Sequence, residues 1–213
     1  VSKQIRIDFV SDVSCPWCVI GLKSLEQALA RVGDAAKVDL HFQPFELNPQ
    51  MVPEGQEIGE HLAAKYGASA EQRAQTSEMI RARGAELGFT FGPRERIYNT
   101  FDAHRLLHWA GEQGLQRELK MALFEAYFTE GDNPGSHQVL VRAAGQVGLD
   151  SAEAARILAS DSYAAEVRER EQFFQRQGIS SVPAIIINQR HLISGGQPPE
   201  VFEQALRQIL AQQ

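Results

Sequence analysis

Two cysteines are all that this chain of 213 residues contains. No framework of disulfides can therefore stand in for a packed core. Long hydrophobic runs are missing as well: none approaches the roughly 18 apolar residues of a membrane-spanning helix. An excess of positive charge is also lacking. The formal net charge is −6, which excludes the basic footprint that a nucleic-acid partner requires. No internal repeat or low-complexity stretch occurs. The first strand is preceded by no basic, apolar, small-residue leader, so the cytoplasm is the expected compartment, although a leader removed before Val1 would leave the same sequence. What remains is ordinary globular composition, 43% hydrophobic and 23% charged. The length suffices for one compact unit, or for one domain with another inserted in it.

Both cysteines lie in "DVSCPWCVIG", residues 12 to 21. Random placement would give their spacing about once in a hundred trials, so a half zinc site, a redox dithiol and coincidence all need weighing. "QIRIDFV", just upstream, puts Ile5, Ile7 and Phe9 on one face and Gln4, Arg6 and Asp8 on the other. That alternation predicts a strand with Asp8 on its surface side. A helix follows the CxxC to about Val32, ended by Gly33, and "KVDLHFQPFEL" alternates again. The result is a β-α-β unit with the dithiol at its first strand-to-helix junction.

From residue 51 to 177 the period becomes helical. Candidate helices cover Ile58 to Tyr66, Ala70 to Leu87, Phe101 to Gln113, Gln116 to Phe128, Gln138 to Val147, Ala152 to Leu158 and Tyr163 to Gln177. Strand character returns in "SVPAIIIN" and "HLISGG", which a turn at residues 188 to 190 joins. The closing "PPEVFEQALRQILAQQ" is an amphipathic helix behind two prolines. The chain is therefore α/β, its sheet completed by residues 1–50 and 178–213 around a helical insertion at 51–177.

In the first helix Cys18, Leu22, Leu25, Leu29 and Val32 form one apolar stripe. Cys18 thus heads the buried face, and Cys15 sits one turn earlier at the open end. A rise of 1.5 Å per residue sets their backbones roughly 5 Å apart, close enough for a disulfide. Free N–H groups and the positive dipole end favour a thiolate at Cys15. Cys15 is the expected nucleophile and Cys18 the resolving thiol. Pro16 suits the first turn, where its missing N–H costs nothing. Trp17 fits a substrate contact as well as a packing role. Asp12 reads either as a proton carrier for the thiols or as a cap of the loop. Zinc would need two more ligands. The only spaced pair is His104 and His108, and Cys18 to His104 spans 86 positions (104 − 18), far outside finger spacing. No metal is expected, and those histidines read as surface or packing residues.

"ISSVPAIII" places a proline directly before a strongly β-forming run. Proline is tolerated there either as a strand's first residue or behind a cis bond.

"SCPWC" after a first strand, a long helical insertion, then "SVPA" before a strand pair and final helix resemble the thioredoxin superfamily, specifically the DsbA-type thiol-disulfide oxidoreductases. The motifs "PFELNP", "NTFDAHRLLHWA", "GISSVPAIIIN" and "SGGQPPEVF" are similar to those of the FrnE-like subgroup. The resemblance implies a thioredoxin-like fold with a large all-helical insertion. It also implies a cis Val182 to Pro183 bond, Pro183 beside the dithiol, and backbone at Val182 that pairs with an incoming peptide. Val19 departs from the subgroup's pattern, in which tyrosine follows the second cysteine.

The expected activity is thiol-disulfide exchange through the Cys15–Cys18 couple, as oxidase, reductase or isomerase. Partners would be protein or small-molecule thiols and disulfides. No cofactor is needed beyond the dithiol, with glutathione as a candidate co-substrate. Two competing readings stand beside it. Kappa-class glutathione transferases and 2-hydroxychromene-2-carboxylate isomerases resemble the same layout, but they activate glutathione with one residue and leave Cys18 unexplained. A peptide-binding chaperone would use the groove at Pro183 and need neither thiol. Oligomeric state has no signature in the sequence.

Overall fold

The alternation around Ile5, Ile7 and Phe9 produces strand β1 (Lys3–Ser11), which lies inside a four-stranded sheet. β2 (Ala36–Pro44) runs parallel to it with Phe42 beside Phe9. On the other side β5 (Ala184–Ile187) pairs antiparallel, Ile185 beside Phe9, and β6 (His191–Ser194) closes the sheet. The computed structural model describes residues 1–213. The two sequence-distant halves thus meet along β1.

Helix α1 (Pro16–Val32) packs against α9 (Pro199–Ala211). Both bury their apolar stripes in one cluster with Ile5, Ile7, Phe9, Ile185 and Ile187. Cys15 and Cys18 belong to the same cluster. Between β2 and β5 the chain forms α2 (Ile58–Tyr66), α3 (Ala70–Glu86), α4 (Phe101–Glu112), α5 (Gln116–Phe124), α6 (His137–Gln146), α7 (Ser151–Leu158) and α8 (Ala164–Arg176). A two-residue strand pair, β3 (Gln56–Glu57) with β4 (Arg96–Ile97), clips the segment at α2 to the stretch before α4. Such short pieces carry no periodicity, and the sequence gives no sign of them.

Two expectations change and a third narrows. Asp8 is buried, at 3% exposure, because α8 covers the second face of the sheet through Phe174, which packs with Val10. Its carboxylate accepts hydrogen bonds from Arg6 and from Gln43 Nε2 at 2.8 Å. Of the surface and packing roles expected for His104, the structure leaves the buried one and adds a polar partner. His104 is 3% exposed and bonded to Asp12. The helix expected over Gln116 to Phe128 ends as α5 at Phe124 and continues as a π-helical turn, Glu125–Thr129. That wider turn carries Tyr127 and Phe128 into the cluster that holds the cysteines.

The turn between β5 and β6 places Asn188 and Gln189 in the left-handed region, at φ 53° and 56°. Asn188 tolerates that backbone, and its Oδ1 accepts the Arg6 N–H at 2.9 Å, which ties the turn to β1.

Candidate active site

Cys15 is the N-cap of α1 and Pro16 its first residue. No side chain caps this end, so the helix start faces the site rather than a neighbouring residue. Both cysteines are free thiols. Cys15 is 4% exposed yet lines a cleft, while Cys18 is wholly buried. Burial first, and then the hydrogen bond and charge of Cys15, push the Cys18 thiol well above its ordinary range.

The Val182–Pro183 bond is cis, as the resemblance implies. Cys15 Sγ lies 3.7 Å from the Val182 carbonyl oxygen, to which its thiol donates. Pro183 rests on α1 at Gly21, where a Cβ would stand 3.1 Å from its ring. Gly196 makes a similar close approach on the other side of the motif: a Cβ there would meet the Trp17 carbonyl oxygen at 2.9 Å. Trp17 itself is half-buried. The Arg83 guanidinium stacks over it at 5.6 Å and donates to the Gly196 carbonyl.

Ser14, Cys15, Pro16, Trp17 and Val182 form one wall of a cleft of about 630 Å³. Helices α2 and α3 and the Phe91–Arg94 stretch supply most of the rest, with Leu47, Asn48, Ile97 and Phe128. Its floor is apolar, with Ile80, Phe91, Ile97 and Phe128. Its charged lining is Arg73, Arg81 and Arg94, with no Asp or Glu among the lining residues. Arg81 pairs with Glu78. Arg94 has no carboxylate partner; it lies over the Tyr127 and Phe128 rings and donates to the Tyr127 hydroxyl.

Behind the thiols lies a buried polar group that the sequence reading mostly missed. Asp12 is 1% exposed and accepts from Leu47 N–H at 2.9 Å and Ser14 Oγ–H at 3.1 Å. Its Oδ1 is 3.1 Å from His104 Nε2. Burial favours its neutral form, but hydrogen bonds from His104, Leu47 and Thr100 outweigh it and hold Asp12 below the usual carboxylate range. Lys120 of α5 is 1% exposed, its ammonium 5.3 Å above the Phe124 ring and 6.0 Å above that of Phe42. Burial pushes it down to about 8 against the opposing charges of Cys18, Asp12 and Cys15. A further pair, Glu46 and Glu171, is buried and shares Arg168, at 2.5 and 3.2 Å. Burial and the Glu171 carboxyl raise Glu46 to about 7.

One signal for Lys120 was available: in "RELKMALF" it stands four residues before Phe124, on an apolar face where a lysine is out of place. For Glu46, Glu171 and His104 no local pattern exists, because their neighbours come from other elements.

Residues 6–207 match the family described as DSBA-like thioredoxin domain. The crystal structure of the probable DsbA oxidoreductase SCO1869 from Streptomyces coelicolor superposes with a TM-score of 0.91 at 34% identity, over 98% of this chain and 91% of that one. The uncharacterized protein YwbO of Bacillus subtilis (strain 168) is 28% identical over 95% of this chain and 96% of its own. The cytosolic disulfide reductase DsbM from Pseudomonas aeruginosa with GSH shares the fold, with a TM-score of 0.67 at 18% identity, covering 97% of this chain and 99% of that one.

Proposed function

The chain belongs to the DSBA-like thioredoxin domain family and is a thiol-disulfide oxidoreductase; from that premise we propose that Cys15 exchanges with substrate and Cys18 resolves. What carries this reading is the asymmetry of the pair. One thiol lines a cleft at a helix N-terminus, and the other is wholly buried one turn further on.

In the reducing direction the Cys15 thiolate attacks a substrate disulfide, and Cys18 displaces the product from the mixed disulfide. In the oxidising direction a substrate thiolate attacks the Cys15 sulfur of the Cys15–Cys18 disulfide. The helix N-terminus stabilises negative charge on Cys15 in both. Val182 offers backbone beside the reacting sulfur, Pro183 fixes that backbone against α1, and Pro16 and Trp17 contact the bound chain. We read residues 1–50 and 178–213 as the thioredoxin-like unit, 51–177 as the insertion that shapes the cleft, and the chain as FrnE-like on the motifs quoted above.

Three arginines and no acid around an apolar floor suit thiols and disulfides that carry carboxylates. Glutathione is such a molecule, and DsbM holds it on the same fold. A cytoplasmic setting agrees with that co-substrate, and no helix is long and apolar enough to cross a membrane.

Equilibration in glutathione redox buffers followed by intact-mass measurement tests the reading. A reversible loss of two hydrogens with one midpoint is expected for the wild type. Cys18→Ser should instead trap a glutathione adduct at Cys15, and Cys15→Ser should show neither. A wild-type adduct that never closes to the ring would overturn the dithiol mechanism in favour of a glutathione-dependent isomerase or transferase. A protein with both Cys15 and Cys18 replaced by Ser that suppresses aggregation as the wild type does, where the wild type shows no disulfide turnover, would leave the chaperone reading.

A further inference from the structure

Helix α3 roofs the cleft, yet little holds it there. Of its 17 residues only Ile80 and Gly84 are buried. Ile80 belongs to the cleft floor, and Gly84 seats the helix on Phe91, where a Cβ would collide with the ring. A capping box between Ser69 and Gln72 stabilises the helix in itself without fixing it to its neighbours. Arg81 pairs with Glu78 inside α3, and Arg73 donates to the Ala68 carbonyl just before it. The adjoining α2 is better tied, because Lys65 donates to the Leu47 carbonyl at 2.8 Å.

Arg83 is the exception within α3. Its guanidinium donates to the Gly196 carbonyl at 2.9 Å, the one hydrogen bond from α3 to residues 1–50 or 178–213. It also stands over the Trp17 ring, 5.6 Å from the centroid. These contacts form one cluster, since Gly196 packs on Trp17 itself: a Cβ there would lie 3.3 Å from Trp17 Cε3. Arg83 pairs with no carboxylate, so this half-buried cation is committed to an indole face and a carbonyl. It is absent from the cleft lining and acts on the site through Trp17.

The position of the roof matters because of where the reacting sulfur lies. Cys15 is 4% exposed, in the wall of a cleft of about 630 Å³, the size of a small-molecule site. In the exchange the Cys15 thiolate bonds to the near substrate sulfur, and the far sulfur leaves in line with that bond as a thiolate carrying the electron pair. Both halves of the substrate must therefore fit in the space between α1 and the roof. A small disulfide or an extended chain does so. A disulfide on a folded surface carries too much bulk beside it.

We propose that Arg83 is a positioning residue that fastens α3 across the dithiol, through Trp17 and Gly196, and thereby restricts Cys15 to disulfides of small molecules and extended peptides. The proposal rests on the dithiol reading above and names the substrates that the cleft admits. Closure of the Cys15–Cys18 disulfide completes the turnover. The dithiol gives up two electrons and two protons, and the substrate disulfide becomes two thiols.

The test compares kcat/KM for folded insulin with that for bis(2-hydroxyethyl) disulfide, a neutral small substrate. Arg83→Ala should shift this ratio by about tenfold toward insulin, the effect of losing one charged hydrogen bond that holds the barrier. Arg83→Lys keeps a cation for the indole and a donor for the carbonyl, and should restore most of the wild-type ratio. In Arg83→Ala, amide hydrogen exchange should quicken across residues 70–86. Acrylamide should also quench Trp17 more strongly, a signal that Trp109, the other tryptophan, hardly masks at 5% exposure. An unchanged ratio in a folded variant overturns the proposal, whether or not α3 has loosened, and leaves the dithiol reading standing. A wild type that turns over neither disulfide ends both.

The wild type carries the test if Arg83→Ala does not fold. Two short peptides joined by one of insulin's interchain disulfides should be reduced at least about tenfold faster than folded insulin, each rate being divided by that of dithiothreitol on the same substrate. Equal normalised rates would refute the restriction.

Discussion

Glu46 shows how far one side chain's surroundings move its chemistry. Its sequence neighbours, Phe45 and Leu47, say nothing of a second carboxyl, yet Glu171 of α8 is brought against it and Arg168 bridges both. Burial and that neighbour raise Glu46 from 4.5 to about 7. Because the folded value is the higher, the folded state binds more protons than the unfolded chain across that interval. Stability is therefore present in full below it and falls as pH rises through it. Glu46→Gln has no proton to exchange and should flatten the slope. Urea denaturation of both proteins at about pH 5 and about pH 7.5 measures it, and parallel slopes would show that Glu46 does not take up a proton on folding. Cys18 is governed by the same physics with a different neighbour. Burial and Cys15 favour its protonated thiol.

The elements are held in place by a few polar clamps as much as by apolar stripes. Arg105 is the clearest. From the middle of α4 it donates to Asp102, to the carbonyls of Ile157 and Ser162, and to that of Ser160, joining α4 to the end of α7 and the loop before α8. It is 4% exposed, so replacing it leaves buried carbonyls without donors. Arg105→Met should lower the unfolding free energy by about 3 kcal/mol. It should also loosen His104, the next residue on α4, from Asp12. A shift in the urea midpoint with no change in slope checks the first effect, and the imidazole NMR signals check the second. Element existence was largely readable beforehand. The helices of the insertion follow their period of apolar residues, and Gly33, Gly67, Gly114 and Gly178 stand at turns in the left-handed half of φ space. The π-helical turn after α5 was not readable, because its cause is the packing of Tyr127 and Phe128 among Phe91, Phe124 and the thiols rather than any local propensity.

For the molecule as a whole, net charge and local charge have opposite signs where it matters. The chain carries −6 overall, whereas the cleft beside Cys15 is lined by Arg73, Arg81 and Arg94 with no Asp or Glu, Arg81 being paired with Glu78 outside the lining. An acidic protein with a cationic cleft repels anionic partners at long range and attracts them at short range, and salt weakens the short-range attraction where the arginines are exposed. The KM for glutathione disulfide should therefore rise with ionic strength, while that for a neutral disulfide such as bis(2-hydroxyethyl) disulfide stays level. Arg94→Met should raise the first by about tenfold and leave the second unchanged. Equal salt responses for the two substrates would remove the cleft's charge from the account of specificity.

The sequence by itself determined the strand-helix junction that carries the dithiol, the placing of Cys15 at the helix start and Cys18 on its buried stripe, the helical character of the insertion and the family resemblance. These are local facts: a period of two or about 3.6, a proline at a helix start, two sulfurs one turn apart. Tertiary structure decided the rest. Asp8 read as a surface residue because alternation places it opposite Ile7, and only α8 lying on that face makes it buried. His104 and Asp12 are 92 positions apart, Glu46 and Glu171 are 125 apart (171 − 46), and Lys120, from the insertion, is buried over the ring of Phe42 in β2. A side chain's proton affinity depends on the dielectric and the charges within a few ångströms of it. That neighbourhood exists only once the insertion has folded back over the first strand and helix.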